Sequence, residues 1–420
     1  MVKDLYFLEK IKNDLRPDKK INLIVDSFIE KINDFLKKNN ILAKCVKGGS
    51  TAKGTFLKND HDIDLFVVFN EIYKSEDISN LLASCLKNFK FERIHGSRDY
   101  FHIIKDELTF ELVPVMEVKN PNLISNVTDM SPLHVNWVNT RLTDDLRDDI
   151  RLTKKFMKSC KVYGAESYIN GFSGHVVDIL VIYYKGFLNL IEAASEWKLK
   201  DDNDKIIIDI EKKMKTPLIS LDKSKISGPL IVIDPVQPNR NAAAAVSKEK
   251  FELFVKISKS FLKNPKKDFF VEKEFDIVEI KKHVKKVNAF IQIKVTNLKD
   301  SKDIAGTKLL KCFEAINKQL GLNEFTIISS DWKWNKFDTA YFYFIIKEKK
   351  LSKLIDHMGP PIKNKKAIIE FRKKNKKTFE KNERLYAKVN RKFTSPIDFV
   401  KDLIKKDFIK SKVKKIEIIK

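Results

Sequence analysis

The chain has 420 residues, of which 43% are hydrophobic, and its 82 Lys and Arg residues outnumber 57 Asp and Glu residues. This length and apolar content predict two to four domains with a sizeable core and exclude an intrinsically disordered chain. The formal charge of +25 favours a polyanionic partner, because each neutralised phosphate releases counterions. A lysine-rich proteome that keeps its proteins soluble is the alternative explanation.

Cysteine use and hydropathy indicate the compartment. The four cysteines are scattered without a C-x-x-C pair, so we expect reduced, mostly buried thiols and no zinc site. The N-terminus is amphipathic and charged and lacks the pattern of a signal peptide. The longest apolar run, residues 176–184, is too short to cross a bilayer. The sequence therefore predicts a cytoplasmic protein with no membrane partner.

The first 140 or so residues have the pattern of a small α/β unit. Residues 1–40 are predicted to be helical, because apolar residues from Ile21 to Phe35 recur at helical spacing. A second helix is expected at residues 79–86. Strands are expected at residues 62–69, 89–94, 100–104 and 108–118.

Residues 48–69, GGSTAKGTFLKNDHDIDLFVVF, combine a glycine–serine turn with two acids on a strand. Gly49 and Ser50 can bring backbone N–H groups and a hydroxyl to an anion, and AKGTFL is predicted to form a short helix facing the same point. Asp62 and Asp64 are expected to share one strand face. Two such carboxylates repel each other unless a cation lies between them, and Mg²⁺ shared with a triphosphate fits that need. A solvated strand end is the alternative.

A Gly-Ser turn followed by Asp-x-Asp on a strand resembles the signature of the polymerase-β-type nucleotidyltransferases. That superfamily needs a third acid on a neighbouring strand. Glu111 is the candidate, because it lies in FELVPV, a run of strand formers that ends at a proline.

Helical patterns dominate the middle of the chain. His134 falls in the first turn of a helix that begins with Ser-Pro, and packing or capping is its alternative role. Lys154 lies on an amphipathic helix with a basic face, and Tyr163 follows that helix. A solvated lysine and a half-buried aromatic are the alternatives for these two. Ser173 is expected to cap an apolar core helix that runs to residue 197.

A stiff turn follows two short strands predicted at residues 206–210 and 230–233. Its sequence, DPVQPNRN, contains two prolines that restrict the backbone, so Arg240 is expected to point at a fixed place. A helix is predicted at residues 248–262.

From about residue 265 the chain is richer in lysine and in strand patterns. The predicted order is βαββαβ, typical of a ferredoxin-like fold: a strand at 289–295, a helix at 303–320, a hairpin at 324–332 and 338–347, a helix at 350–357 and a strand at 384–393. The last 20 residues, with eight lysines and three acids, are predicted to be a helix or strand with a basic face.

Such sheets can serve as RNA-binding platforms. Trp332, Trp334, Phe337, Tyr341 and Tyr343 lie among lysines and are the candidate contacts. The alternative is that these aromatics belong to the core, which must hold for the inward-facing half of them.

Together these features resemble the archaeal-type (class I) CCA-adding enzymes, which are tRNA nucleotidyltransferases. The resemblance spans nearly the whole chain. The motifs that carry it are GSTAKGTFLKNDHDIDLF, FELVPV, SPLHVNW, IRLTKKF with VYGAE, GFSGHVVDIL, VIDPVQPNRNAAA, MGPPIKNK and RKFTSP.

The resemblance implies addition and repair of the tRNA 3′-terminal CCA from CTP and ATP without a nucleic-acid template. Asp62, Asp64 and Glu111 would hold two Mg²⁺ ions about 3.5–4 Å apart, where the tRNA 3′-hydroxyl attacks the α-phosphate and pyrophosphate leaves. The residues that would contact the nucleotide are Gly49, Ser50, Lys53, His134, Lys154, Tyr163 and Arg240. Of these, His134, Lys154 and Tyr163 would hold the triphosphate, and Arg240 would help to read the base.

The chain departs from the family pattern in two ways. The shorter and longer acids are redistributed, with Asp at position 62 and Glu at position 111, although three carboxylates remain. The region after Pro396 is shorter than the family's usual tail, which puts its tRNA contacts and the contacts of a homodimer in doubt.

The expected fold is therefore α+β and multidomain. We expect a polymerase-β-like nucleotidyltransferase palm at 1–142, a helical central domain at 143–262 and a ferredoxin-like, RNA-binding C-terminal domain at 263–420. A poly(A) polymerase or another terminal RNA nucleotidyltransferase is the nearest alternative function. A catalytically inactive RNA-binding protein is an alternative of another class, and the three acids argue against it.

Overall fold

The computed structural model of the protein describes residues 5–58, 60, 62–118, 126–201, 203–272 and 275–419. The chain forms two compact units, residues 1–273 (unit 1) and 274–420 (unit 2). The three-domain division predicted at residues 142/143 and 262/263 stays a prediction. Within the described ranges, no helix is both long enough and apolar enough to cross a membrane.

A five-stranded mixed sheet begins unit 1. Its strands are β1 (Ala43–Lys47), β2 (Asp62–Phe69), β3 (Phe91–Ile94), β4 (Tyr100–Lys105) and β5 (Leu108–Met116), in the order β1-β2-β5-β4-β3. Strands β2 and β5 pair in parallel, and the other neighbours are antiparallel. Because strand side chains alternate between faces, Ile63, Leu65 and Val67 are fully buried on one face of β2.

The first four helices are α1 (Tyr6–Leu15), α2 (Lys19–Lys38), α3 (Gly49–Lys53) and α4 (Ile78–Cys85). Of these, α1 packs against α6 (Asp144–Ser159) in the helical core and not against the sheet. The single helical region predicted over residues 1–40 is wrong in one respect, because Arg16 is extended before Pro17 and divides the region into α1 and α2. Asp18 then starts α2 by accepting a hydrogen bond from the Lys20 N–H. Helix α2 packs on the sheet core, where Phe28 stacks on Phe110 with ring centroids 3.9 Å apart.

The rest of unit 1 is mainly helical. It contains α5 (Ser131–Asn139), α6 (Asp144–Ser159), α7 (Gly174–Tyr184), α8 (Phe187–Ser195), β6 (Ile206–Ile208), α9 (Pro217–Ser220), β7 (Leu230–Val232) and α10 (Lys248–Lys263). Ser173 caps α7 as predicted, by accepting a hydrogen bond from the Val176 N–H. The single helix predicted to continue to residue 197 instead divides at Gly186, whose φ is +130°. A Cβ there would lie 2.6 Å from the Asp149 carboxylate, so the break requires glycine.

Unit 2 contains a four-stranded antiparallel sheet and a separate three-stranded sheet. Its elements are α11 (Ile277–Lys282), β8 (Ala289–Asn297), α12 (Lys302–Leu322), β9 (Ile327–Trp334), β10 (Thr339–Ile346), β11 (Leu354–Pro361), α13 (Lys365–Lys374), β12 (Thr378–Lys381), β13 (Arg384–Asn390), α14 (Pro396–Leu403), α15 (Asp407–Lys410) and β14 (Val413–Ile419). The order β14-β8-β10-β9, with α12 and α14 as the connecting helices, is the predicted ferredoxin-like arrangement.

The sequence assigned two members of this arrangement incorrectly. The helix predicted at residues 350–357 is strand β11, and the strand predicted at 384–393 is β13; both belong to the three-stranded sheet inserted between β10 and α14. The fourth strand of the main sheet is β14, from the basic tail. The insertion itself contains strands and a helix (β11, α13, β12 and β13), so the order of elements alone could not separate it from the main sheet.

Candidate active site

Three carboxylates meet on the parallel strands β2 and β5. Asp64 and Glu111 are direct partners in the strand register, and Asp62 precedes Asp64 by two residues on the same strand. Asp62 is exposed and Asp64 and Glu111 are partly buried, whereas Ile63 is fully buried. The structure thus brings together the three acids that the sequence singled out.

The glycine–serine segment is built against Asp64. The Gly48 N–H donates to the Asp64 carbonyl at 2.8 Å, and the Ser50 N–H donates to Asp64 Oδ2 at 3.2 Å. Gly49 has a φ of +42°, and a Cβ there would lie 1.9 Å from Asp64 Oδ2. Position 49 must therefore be glycine for the backbone to reach the carboxylate.

The short helix predicted over AKGTFL is displaced in the structure. Helix α3 contains Gly49–Lys53, so Gly49 and Ser50 lie within it instead of preceding it. The helix ends at Gly54, which is left-handed with φ +64°, and this terminates the helix before Thr55.

Asp64 lies in an environment that disfavours its negative charge. Burial, followed by the charge of Glu111, raises the pKa of Asp64 to about 6 despite the hydrogen bond from Ser50. Glu111 in turn has Oε2 at 2.9 Å from His102 Nε2, and His102 is its register partner on β4. The sequence analysis missed His102. Three carboxylates, one of them strongly desolvated, are a hard oxygen donor set that fits Mg²⁺.

This electrostatic cost predicts that Asp64→Asn stabilises the metal-free protein above pH 6. Between about pH 4 and pH 6 the folded state holds a proton that the unfolded state lacks, so stability falls as the pH rises through about 6. An amide keeps an acceptor for Ser50 without the charge. We expect a gain on the order of 1–3 kcal/mol at about pH 7.5 and almost none at about pH 4. Thermal denaturation in a chelator measures this, with exposed Asp62→Asn as the control. An Asp64→Asn protein no more stable than wild type at pH 7.5 would contradict it.

A buried basic cluster joins α3 to the helical part of unit 1. Lys53 forms an ion pair with Asp178 of α7. The Asp178 side chain is fully buried. The Lys154 ammonium donates to the backbone and side-chain oxygens of Thr55, both at 3.1 Å. Lys154 is only 3% exposed, so the solvated-lysine alternative is wrong.

Burial sets the electrostatics of this cluster. It lowers the pKa of Lys154 to about 8, although the charge of Asp178 opposes the shift. It raises the pKa of Tyr163, and Asp178 adds to that shift. For Asp178 itself, burial is outweighed by Lys53 and Lys154, and its pKa is lowered. A Cβ at Gly174 would lie 3.0 Å from the Tyr163 hydroxyl, so glycine gives this phenol its space.

A second cluster surrounds Asp234, which lies two residues after the end of β7. Its side chain is fully buried. His134 Nε2 lies 2.9 Å from Asp234 Oδ1, and Arg240 Nη1 donates to Oδ2 at 2.8 Å. His175 Nε2 lies 3.6 Å from Oδ2. The structure therefore places His134 and Arg240 on the same carboxylate. Asp234 and His175 were not among the residues that the sequence singled out.

Three family models match the chain in consecutive segments. They are described as the nucleotidyltransferase domain (residues 29–134), the second domain of tRNA nucleotidyltransferase (residues 148–271) and the C-terminal domain of the CCA-adding enzyme (residues 288–416). The curated CCA-adding enzyme of Nanoarchaeum equitans is 35% identical over 83% of this chain and 84% of its own length. The CCA-adding enzyme of Methanocaldococcus jannaschii is 32% identical over 94% of this chain and 90% of its own length.

The chain belongs to the family of CCA-adding enzymes. This membership confirms the resemblance inferred from the sequence motifs. The nucleotidyltransferase-domain model includes the three carboxylates, and the second-domain model includes Lys154, Asp178 and Arg240.

Solved structures support the fold of the catalytic part. The RNA terminal uridylyl transferase Cid1 superposes with a TM-score of 0.51 at 13% identity, over 65% of this chain and 98% of that chain. At this identity the likeness concerns the fold alone, and it confirms the predicted nucleotidyltransferase palm in an α+β, multidomain chain.

Proposed function

We propose that this member of the CCA-adding family adds and repairs the 3′-terminal CCA of tRNA, using CTP, ATP and Mg²⁺. The observation that carries the proposal is the parallel-register pair Asp64 and Glu111 built against the Gly49–Ser50 backbone. Such a site places acidic donors directly beside backbone N–H groups. A tRNA substrate is consistent with a cytoplasmic protein, and we propose that location. The homodimer considered from the sequence stays a prediction.

Asp62, Asp64 and Glu111 would hold Mg²⁺. When bound, the metal would supply charge neutralisation and an acidified 3′-hydroxyl. The chain's own part is to position the reactants, because phosphoryl transfer asks for little covalent help from a protein. Ser50 and Gly49 orient the nucleotide close to the carboxylates, and His102 holds Glu111 in place.

The buried basic cluster supports binding of the triphosphate. Lys53 and Lys154 contribute two cations against the single anion Asp178, so the cluster has a net positive charge beside the carboxylates. A triphosphate that reaches it would meet an ammonium whose pKa of about 8 keeps it mostly charged at neutral pH. The hydroxyl of Tyr163 would donate a further hydrogen bond.

Unit 2 supports binding of the tRNA. Residues 274–420 carry 37 Lys and Arg against 18 Asp and Glu, so most of the excess charge of the chain is here. Tyr341 pairs across the sheet with Lys294 on one side and Lys333 on the other. An aromatic ring flanked by lysines suits stacking with a base beside a phosphate.

The predicted aromatic platform is smaller than the sequence indicated. Trp334 and Tyr343 are buried, and Trp332 packs edge-on against the core residue Phe342. Phe337, in contrast, is 78% exposed at the turn between β9 and β10. The core alternative is therefore correct for part of the group, and Tyr341 and Phe337 are the contacts we propose.

Arg240→Ala is expected to change nucleotide choice more than triphosphate binding. Asp234 holds one nitrogen of the guanidinium while the side chain remains 44% exposed, which leaves a rigid fork available to a base edge. We expect the preference for CTP and ATP over UTP and GTP to fall by about 10-fold to 100-fold, the value of a bidentate base contact. Lys154→Ala should raise KM for all four nucleotides alike.

The kcat/KM values for CTP, ATP, GTP and UTP in both variants measure this difference. Arg240→Lys is the matched control, since it keeps the charge and loses the fork. If Arg240→Ala lowers kcat/KM equally for all four nucleotides, Arg240 does not read the base. Its role would then be to stabilise its own turn.

The proposed activity itself is tested by extending a tRNA that lacks its three terminal nucleotides, with CTP, ATP and Mg²⁺. The product should grow by C, C and A and then stop. A poly(A) polymerase would continue to add A, and an inactive RNA-binding protein would add nothing.

A further inference from the structure

Asp234 is the point at which three elements of unit 1 meet. Its Oδ1 accepts hydrogen bonds from the Val236 and Gln237 N–H groups, both at 3.0 Å, and lies 2.9 Å from His134 Nε2 of α5. Its Oδ2 accepts from Arg240 at 2.8 Å. The fully buried Asp234 carboxylate therefore contacts both its own turn and His134, which lies 100 residues earlier in the chain.

His175 of α7 completes the cluster. Its ring centroid lies 4.3 Å from that of His134, and its Nε2 lies 3.6 Å from Asp234 Oδ2. Among the described residues, neither of its buried ring nitrogens has a hydrogen-bond partner. Burial lowers the pKa of His175, although Asp234 opposes the shift.

The geometry could also suit a metal ion. One ligand atom from each of His134, His175 and Asp234 lies within 4.8 Å of the others. A divalent cation would, however, share the Asp234 carboxylate with the Arg240 guanidinium, which already contacts Oδ2 at 2.8 Å. Because the two cations would repel each other at that distance, the charge balance favours a hydrogen-bonded cluster over a metal site.

We propose that Asp234 is a positioning residue that holds Arg240 and His134 as a single unit for the incoming nucleotide. The inference rests on the proposed function, in which Arg240 reads the base and His134 holds the triphosphate. Because one carboxylate fixes both side chains, base reading and triphosphate binding are coupled through it. Its own contact is with those two residues and not with the substrate.

Asp234→Asn tests this role with the smallest change in shape. The amide oxygen can still accept from the turn N–H groups, but the charge that fixes Arg240 and His134 is lost. We expect kcat/KM for CTP and ATP to fall by about 10-fold to 100-fold, with a smaller preference over UTP and GTP. In an Arg240→Ala background, Asp234→Asn should no longer change the nucleotide preference.

Asp209→Asn is the matched control. Asp209 also holds a turn of unit 1, where it accepts from the Met214 N–H at 2.8 Å, and this hydrogen bond involves none of the proposed nucleotide-binding residues. A merely structural role of Asp234 would make both variants lose thermal stability and all four nucleotide activities in proportion. Unchanged preference in a folded Asp234→Asn protein would overturn the proposal.

A double-mutant cycle that leaves Asp234 unchanged tests the same proposal if the Asp234→Asn protein does not fold. Arg240→Ala and His134→Ala are measured singly and together. If Asp234 couples them, the combined loss of kcat/KM is smaller than the product of the single losses by about threefold or more. A combined loss equal to that product overturns the coupling. An inactive wild-type protein would instead contradict the proposed function, so the two failures are distinguishable.

Discussion

Asp64→Ala is expected to abolish the addition of both C and A while tRNA binding survives. Asp64 is the register partner of Glu111 and accepts from the Ser50 N–H, so its loss removes a proposed metal ligand and detaches the nucleotide cradle. Every nucleotide uses the same site, and we expect turnover to fall by about 10³-fold or more for both CTP and ATP. Single-turnover incorporation into tRNA measures this.

The control for this prediction is Asp106→Asn, in the turn between β4 and β5. Asp106 is an exposed acid in the turn between these two strands of the same sheet, and its carboxylate lies 3.7 Å from the Lys105 ammonium. Its removal should leave turnover within about twofold of wild type. If Asp64→Ala keeps a tenth of wild-type turnover, the catalytic carboxylates have been misassigned. If it loses tRNA binding as well, the site and the RNA surface are not separate.

Removing unit 2 is expected to abolish most of the affinity for tRNA. Residues 274–420 have a formal charge of +19 out of +25, so most of the charge that can release phosphate counterions lies there. We expect the Kd of a fragment containing residues 1–273 to rise by about 100-fold or more, and the dependence of binding on salt to become shallower.

Filter binding at several salt concentrations measures both quantities, and circular dichroism checks that the fragment is folded. Tyr341→Ala in the full chain tests the sheet surface without a truncation. We expect it to weaken binding by about 1–3 kcal/mol with little change in salt dependence, since a stacking contact releases no counterion. A folded 1–273 fragment that binds tRNA as tightly as the full chain would exclude unit 2 as the main RNA surface.

The local rules of strands and caps predicted the placement of the three acids on neighbouring strands. Asp62 and Asp64 follow from strand alternation, and Glu111 from a strand pattern that had to lie beside them. Ser173 was predictable because an N-cap is a feature of four consecutive residues. The division of α7 from α8 was not, because it depends on Asp149 from another helix, which occupies the space of a Cβ at Gly186.

The missed site residues differ in how far away their partners lie along the chain. His102 lies only nine residues from Glu111, across the hairpin of β4 and β5, so the register of that hairpin would have identified it. Asp234 contacts His134 at a separation of 100 residues, and no local pattern contains such a pairing. Asp178 did leave a signal, since a single acid in the apolar run HVVDILVIYY must be paired once that helix is buried. Its partner, Lys53, could be identified only from the structure.

The most direct test of the account uses three tRNA transcripts that end before C74, before C75 and before A76 (standard tRNA positions), each offered CTP alone and ATP alone with Mg²⁺. The account predicts that CTP extends the first transcript by two nucleotides and the second by one. ATP should extend only the third, by one nucleotide. Addition of A to either of the first two transcripts, or continued addition beyond A76, would contradict the assignment of this chain as a CCA-adding enzyme.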